Sequence, residues 1–126
     1  MEFKATPSIY LQIAEYVCEH ILLGKWALGD RMISIRDLAM TMEVNPNTVQ
    51  RAYDFLQQKE IISNKRGIGY FIKEDAMDRI LSFRREQFLE HELPVFMRSI
   101  YLIKIDISDI KTLYEQFVKD NFNKLS

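Results

Sequence analysis

The stretch VNPNTVQRAY, residues 44–53, decides how this chain folds. A proline stands between two asparagines at the point where a helical pattern begins. Asn45 is a good N-cap, because its side-chain oxygen can accept from the unpaired N–H groups of a first turn. Pro46 then falls at the first helical position, where its missing N–H costs nothing and its fixed φ is already helical. The helix this predicts runs to about Lys59. Val49, Ala52, Tyr53 and Leu56 form its buried side, and Asn47, Gln50, Arg51 and Asp54 fall on the opposite face.

Working upstream, Ser34-Ile35-Arg36-Asp37 has the form of a capping box. It starts a short helix with Ile35, Leu38, Ala39 and Met42 inward, and Glu43-Val44 turn the chain into the next one. Before it, residues 25–33 are irregular, with a turn at Leu28-Gly29-Asp30. The first helix opens at Thr6-Pro7, carries Ile9, Ile13, Val17 and Ile21 at four-residue spacing, and stops near Gly24. Downstream the period changes. IISNKRGIGYFI, residues 61–72, holds two short β-prone runs around a polar tip with Gly67 and Gly69, which is a hairpin signal. Three helices followed by a basic-tipped hairpin outline a winged helix-turn-helix.

From Asp75 the pattern is helical again. Met77, Leu81, Phe88 and Val95 share a face, and Pro94 kinks or divides the helix that carries them. Ser108, followed by Asp109, caps a last helix with Ile110, Leu113, Tyr114, Phe117 and Val118 inward. The expected fold is therefore mostly α with a small β-hairpin. Residues 1–74 form the winged helix-turn-helix, and residues 75–126 a short helical dimerisation extension. That extension is too small to enclose a metabolite pocket as well as its own core. Its aromatic faces suit pairing with a second copy.

Composition sets the outer limits. A chain of 126 residues with 48% apolar side chains has ample material for one packed core. No apolar run approaches the roughly 18 residues of a membrane span, and MEFKATPSIY lacks the basic-then-apolar order of a signal peptide. A single cysteine, Cys18, excludes an internal disulfide and suits a reducing cytoplasm. The net charge of −1 does not announce a nucleic-acid partner. Yet residues 44–73 carry five basic against two acidic side chains, a local +3. A solvated surface would give the same local charge, so the side-chain types must decide. Amides and a guanidinium at the start of a protruding helix are groups that bond base edges and phosphates.

From Gly24 to Ile72 the chain resembles the DNA-binding domain of the GntR family of bacterial transcription regulators. GDRMISIRDLA, VNPNTVQRAY and GIGYFI stand at that family's spacings. VNPNTVQRAY and the short C-terminal extension are similar to the YtrA-like subgroup. The resemblance implies that Ser34 and Arg36 hold phosphates. It places Asn45, Asn47, Thr48, Gln50 and Arg51 along a recognition helix in the major groove. It implies a wing tip Gly67-Ile68-Gly69 over the minor groove, with Lys65 and Arg66 adding charge. Three positions depart from the family pattern. Pro46 stands where many members have an arginine, so that guanine contact is absent. Ile33 replaces the usual proline before Ser34. Glu60 replaces a common glycine, so a residue with a Cβ must end the recognition helix.

The function expected from this reading is a cytoplasmic, homodimeric, sequence-specific transcription regulator. It would be a repressor on a palindromic DNA operator, and the subgroup resemblance implies a transporter operon as its target. The rival is a winged helix serving as a protein–protein adaptor, which an apolar stripe across residues 45–51 would favour. No enzyme is expected: no candidate nucleophile, Ser34 and Cys18 included, has a base or oxyanion donor in view. No metal or cofactor is expected either, since Cys18 and His20 point to different sides of one helix and His91 is remote. The sequence names no effector.

Overall fold

The computed structural model describes residues 8–123, so the Thr6-Pro7 start lies outside the described residues. Helix α1 spans Ile9–Leu22 with Ser8 at its N-cap. It ends as the sequence predicts: Gly24 takes φ 74°, its N–H bonds to the Ile21 carbonyl at 3.0 Å, and the Lys25 N–H to that of His20 at 2.9 Å. These two bonds make a Schellman stop. Helix α2 covers Ile35–Met42 and α3 covers Pro46–Gln58. Strands β1, Ile62–Lys65, and β2, Gly69–Ile72, pair antiparallel from Ile62↔Ile72 to Lys65↔Gly69. This is the predicted winged helix-turn-helix, mostly helical with one hairpin.

By their contacts, the residues divide into two compact units, 1–83 and 84–126. The first unit thus reaches past the boundary at 74 drawn from sequence. Its core gathers Ile13, Val17 and Ile21 from α1, Leu38 and Ala39 from α2, and Val49, Ala52, Tyr53 and Leu56 from α3. Ile61, Ile62 and Ile72 close it from the hairpin, and Ala76 and Ile80 from helix α4, Ala76–Gln87. Each fully buried Val, Leu or Ile among them contributes about 1.5–3 kcal/mol. Two expectations need correction here. Ile9 is exposed, because it sits at the open end of α1 beyond the other core side chains. On α4 the inward positions are Ala76 and Ile80, both fully buried, whereas Met77 and Leu81 are half-buried.

Residues 28–33 are more ordered than their irregular sequence suggests. Segment 29–32 lies along β2 as a short third edge. The Gly29 N–H bonds to the Ile72 carbonyl, the Ile72 N–H to the Asp30 carbonyl, and the Met32 N–H to the Tyr70 carbonyl, at 2.7–2.9 Å. Arg31 and Phe71 form an antiparallel bridge.

The second unit continues helically. A π-helical turn, Phe88–Glu92, precedes α5, Leu93–Leu102, which has Pro94 in its first turn. Proline lacks the N–H that would bond back to Glu90 and its ring crowds that carbonyl. A widened turn is one known way for a helix to pass such a point. Helix α6, Ile107–Asn121, is entered from Asp106 in extended backbone, not from Ser108. Its apolar side chains are not inward within the chain. Leu113, Tyr114 and Phe117 are exposed, and Ile110 and Val118 are half-buried.

Candidate nucleic-acid interface

The helix-turn-helix is α2, the turn 43–45 and α3. Each of its hinges is held by local chemistry. Ser34 Oγ accepts the Asp37 N–H at 3.1 Å and starts α2. Glu43 ends it in left-handed backbone, φ 57°. Asn45 Oδ1 accepts the Asn47 N–H at 2.8 Å, and Pro46 opens the first turn of α3. The far end of α3 also stops at a non-glycine in left-handed backbone. Glu60 has φ 61°, with its N–H on the Gln57 carbonyl and the Ile61 N–H on that of Leu56. Beneath the turn, the Tyr53 hydroxyl donates to the Ile33 carbonyl at 2.6 Å. Burial pushes its phenol pKa well above the ordinary tyrosine value, and the neighbouring Tyr70 adds to the shift. This bond ties α3 to the chain entering α2, the turn that lacks the family's usual proline.

The candidate residues fall in three groups. Ser34 and Arg36 stand exposed at the start of α2. Asn45, Asn47, Thr48, Gln50 and Arg51 lie along the first two turns of α3. Lys65, Arg66, Gly67, Ile68 and Gly69 form the wing tip, where Gly67 takes φ 79° and the Ile68 N–H closes the loop onto the Lys65 carbonyl at 2.9 Å. Lys65 Nζ rests 4.3 Å from the centre of the Phe71 ring, which steadies its charge at the edge of the hairpin.

Within α3 the side chains differ in how free they are. Asn47 is exposed and Thr48 half-buried. Arg51 is exposed but anchored: its guanidinium carbon lies 4.1 Å above the centre of the Tyr10 ring on α1. Tyr10 in turn meets Phe55 edge-on at 6.3 Å. Gln50 is half-buried, and its Nε2 donates to Asp54 Oδ1 at 2.9 Å and to the Tyr70 hydroxyl at 3.1 Å. It is therefore not the loose solvent-facing amide that helical periodicity implies. Tyr10, Tyr70 and Arg31 belong to this surface and were not among the sequence candidates. A Cβ at Gly69, where φ is 139°, would come within 3.1 Å of Arg31 Nε, so that side chain lies against the wing. No local spacing signals these partners, because each lies 20 or more residues from the residue it meets.

The other polar candidates have structural partners. His20 Nδ1 is 2.9 Å from the Tyr16 carbonyl, and its ring packs at a tilt against both Tyr16 and Trp26, which also meet each other edge-on. Cys18 is buried in the core. Among the described residues no group of three or more His, Cys, Asp or Glu is placed to hold a metal ion. Among the same residues no helix is long and apolar enough to cross a membrane.

The sequence profile of the bacterial regulatory proteins of the gntR family matches residues 9–72, the span from α1 to the end of the wing. The chain belongs to the GntR family. A solved GntR-family protein from Bacteroides thetaiotaomicron is 43% identical, with a TM-score of 0.71 over 90% of this chain and 98% of that one. The HTH-type transcriptional regulator YhcF of Bacillus subtilis is 37% identical over 60% of this chain and 62% of its own length. The HTH-type transcriptional repressor YtrA of the same organism is 40% identical over 58% of this chain and 56% of its own. The match therefore spans about three fifths of these two relatives. The YtrA-like subgroup and the winged-helix fold follow from these likenesses. GntR proteins are DNA-binding transcription regulators and not enzymes.

Proposed function

We propose that this GntR protein is a homodimeric, sequence-specific repressor that occupies a palindromic DNA operator in the cytoplasm. The observation that carries the reading is the composition of the face built by α3 and the wing. Asn47, Thr48 and Arg51 stand on the first turns of a sharply capped helix, with no apolar stripe across residues 45–51. Lys65 and Arg66 stand at the exposed hairpin edge. In this reading α3 lies in the major groove, Ser34 and Arg36 meet phosphates, and Gly67-Ile68-Gly69 tracks the minor groove. The term repressor rests on the likeness to YtrA. A transporter operon as the target rests only on the subgroup.

Pairing is supported by the second unit. Among its described residues none is buried, and Phe88, Val95, Tyr101, Leu113 and Phe117 are all exposed. Large apolar side chains in that density mark a surface made to be covered. A symmetric pair doubles the contact with DNA and matches a two-fold operator.

The test begins with selection of bound fragments from random duplex DNA. A single enriched palindromic site is expected. On that site Asn47→Ala or Arg51→Ala should cost about 1–3 kcal/mol, and far less on random DNA. Lys65→Ala should weaken both equally and lower the salt slope by about one unit. No enrichment, or equal losses on both DNAs for all three variants, would sink the reading.

A further inference from the structure

We propose that Tyr70 and Asp54 are positioning residues that orient the Gln50 amide, so that this glutamine reads DNA only as a hydrogen-bond acceptor. The inference rests on the proposed placement of α3 in the major groove. It adds a rule for what one position of α3 will accept there.

The geometry is specific. A primary amide carries two N–H donors on one end and an oxygen acceptor on the other. Gln50 Nε2 lies 2.9 Å from Asp54 Oδ1, one turn along α3, and 3.1 Å from the Tyr70 hydroxyl on β2. A carboxylate only accepts, which decides the end of the amide that faces Asp54. The hydroxyl of Tyr70 takes the second N–H. Its ring is itself held edge-on against the buried Tyr53 at 5.1 Å. Both donors are thus consumed inside the protein, by partners on two different elements. Among the described residues Oε1 takes no hydrogen bond.

The consequence for recognition follows from the base edges. A glutamine usually reads adenine with two bonds, giving an N–H to N7 and accepting from the N6 amino group. Here no N–H remains to give. Guanine O6 and N7 and thymine O4 are acceptors, and they would meet an oxygen. Only the amino groups of cytosine N4 and adenine N6 can bond to it. Gln50 therefore selects an amino-bearing base, cytosine or adenine, and rejects guanine and thymine.

The two orienting residues act differently, and this makes the proposal testable. Tyr70→Phe keeps the ring and the packing on Tyr53 but returns one N–H to the amide. The two-bond contact with adenine becomes available. Asp54→Asn supplies either a donor or an acceptor to the amide. Gln50 can then turn over and present its N–H groups, so that guanine and thymine are accepted too.

The experiment is selection from random duplex DNA with the full-length chain, compared among wild type, Gln50→Ala, Tyr70→Phe and Asp54→Asn, with thermal unfolding of each protein alongside. The expected result has four parts. Wild type shows one position per half-site restricted to cytosine or adenine. Gln50→Ala loses that restriction alone. Tyr70→Phe shifts the same position toward adenine by about fivefold or more, and Asp54→Asn admits guanine or thymine there by a similar factor. A merely structural role for Tyr70 or Asp54 would lower affinity at all positions together and leave the base pattern unchanged. That outcome, with a wild-type site in hand, overturns the orienting role and leaves the repressor reading intact. A wild-type guanine or thymine at the position that Gln50→Ala relaxes also overturns it. If the wild-type protein enriches no sequence at all, the repressor reading falls and this inference falls with it.

Discussion

Tyr53 joins stability to the geometry of the candidate DNA-binding face. Its ring is fully buried, and its hydroxyl holds the Ile33 carbonyl at 2.6 Å. Tyr53→Phe leaves the packing but strands that carbonyl, so it should cost about 1–3 kcal/mol in urea unfolding at neutral pH. The same residue sets an alkaline limit. Burial raises its pKa in the folded state above the ordinary value of 10.0. Folding therefore favours the protonated phenol. Its contribution is fully present below about pH 10 and is lost as pH rises through the folded pKa, because the unfolded chain releases that proton first. The alkaline fall in stability should be shallower in Tyr53→Phe, by the slope of one proton. The buried position of Tyr53 is legible from helical periodicity alone. The partner of its hydroxyl, 20 residues upstream, is not.

At the scale of the element, the stop of α1 and both ends of α3 are legible in the sequence, whereas the start of α6, at Asp106 and not Ser108, and the exposed faces are not. Asn45 and Pro46 start α3 where the local chemistry requires it. Pro46→Ala should change stability by at most about 1 kcal/mol, mainly through the unfolded chain, and should leave the preferred operator unchanged in fragment selection. The stop of α3 was equally visible, as a missing glycine. Glu60 occupies left-handed backbone, which costs a residue with a Cβ about 1–2 kcal/mol. It also pairs with Arg79 at 3.3 Å, though both side chains are about half exposed, so that pair is worth less than about 1 kcal/mol. In an Arg79→Ala background, where the pair is already gone, Glu60→Gly should raise stability by about 1 kcal/mol in urea unfolding. A loss there would mean that the flexibility of glycine in the unfolded chain outweighs the relief of backbone strain. By contrast, periodicity gave Gln50 the right side of α3 and the wrong degree of freedom. A helical wheel cannot show that a strand 20 residues away supplies a hydroxyl to it.

On the scale of the whole molecule, the two units make different demands. Ala76 and Ile80 belong to the core of the first unit. A chain ended after Glu74 should lose about 2–4 kcal/mol with their burial, whereas one ended after Phe83 should keep a cooperative thermal transition. Both should sediment as monomers if residues 84–126 carry the pairing surface. In the full chain, Phe88→Asp would place a charge in that apolar contact, and operator binding should fall with the dimer. A stable dimer of residues 1–83 would refute this assignment. The face proposed for pairing cannot be read from the sevenfold spacing of Leu81, Phe88 and Val95. The π-helical turn at Phe88–Glu92 interrupts that count, because it holds more residues per turn than the helix on either side. Seen as evolution rather than geometry, such a turn accommodates a single inserted residue. A descendant that deleted one position between 88 and 92 could close it into plain α-helix. The side chains of α5 would keep their direction relative to the last turn of α4, because the widened turn already absorbs the extra residue. A one-residue alignment gap at this point would therefore mark a lineage that kept the same helix faces and merely regained regular helical spacing along them.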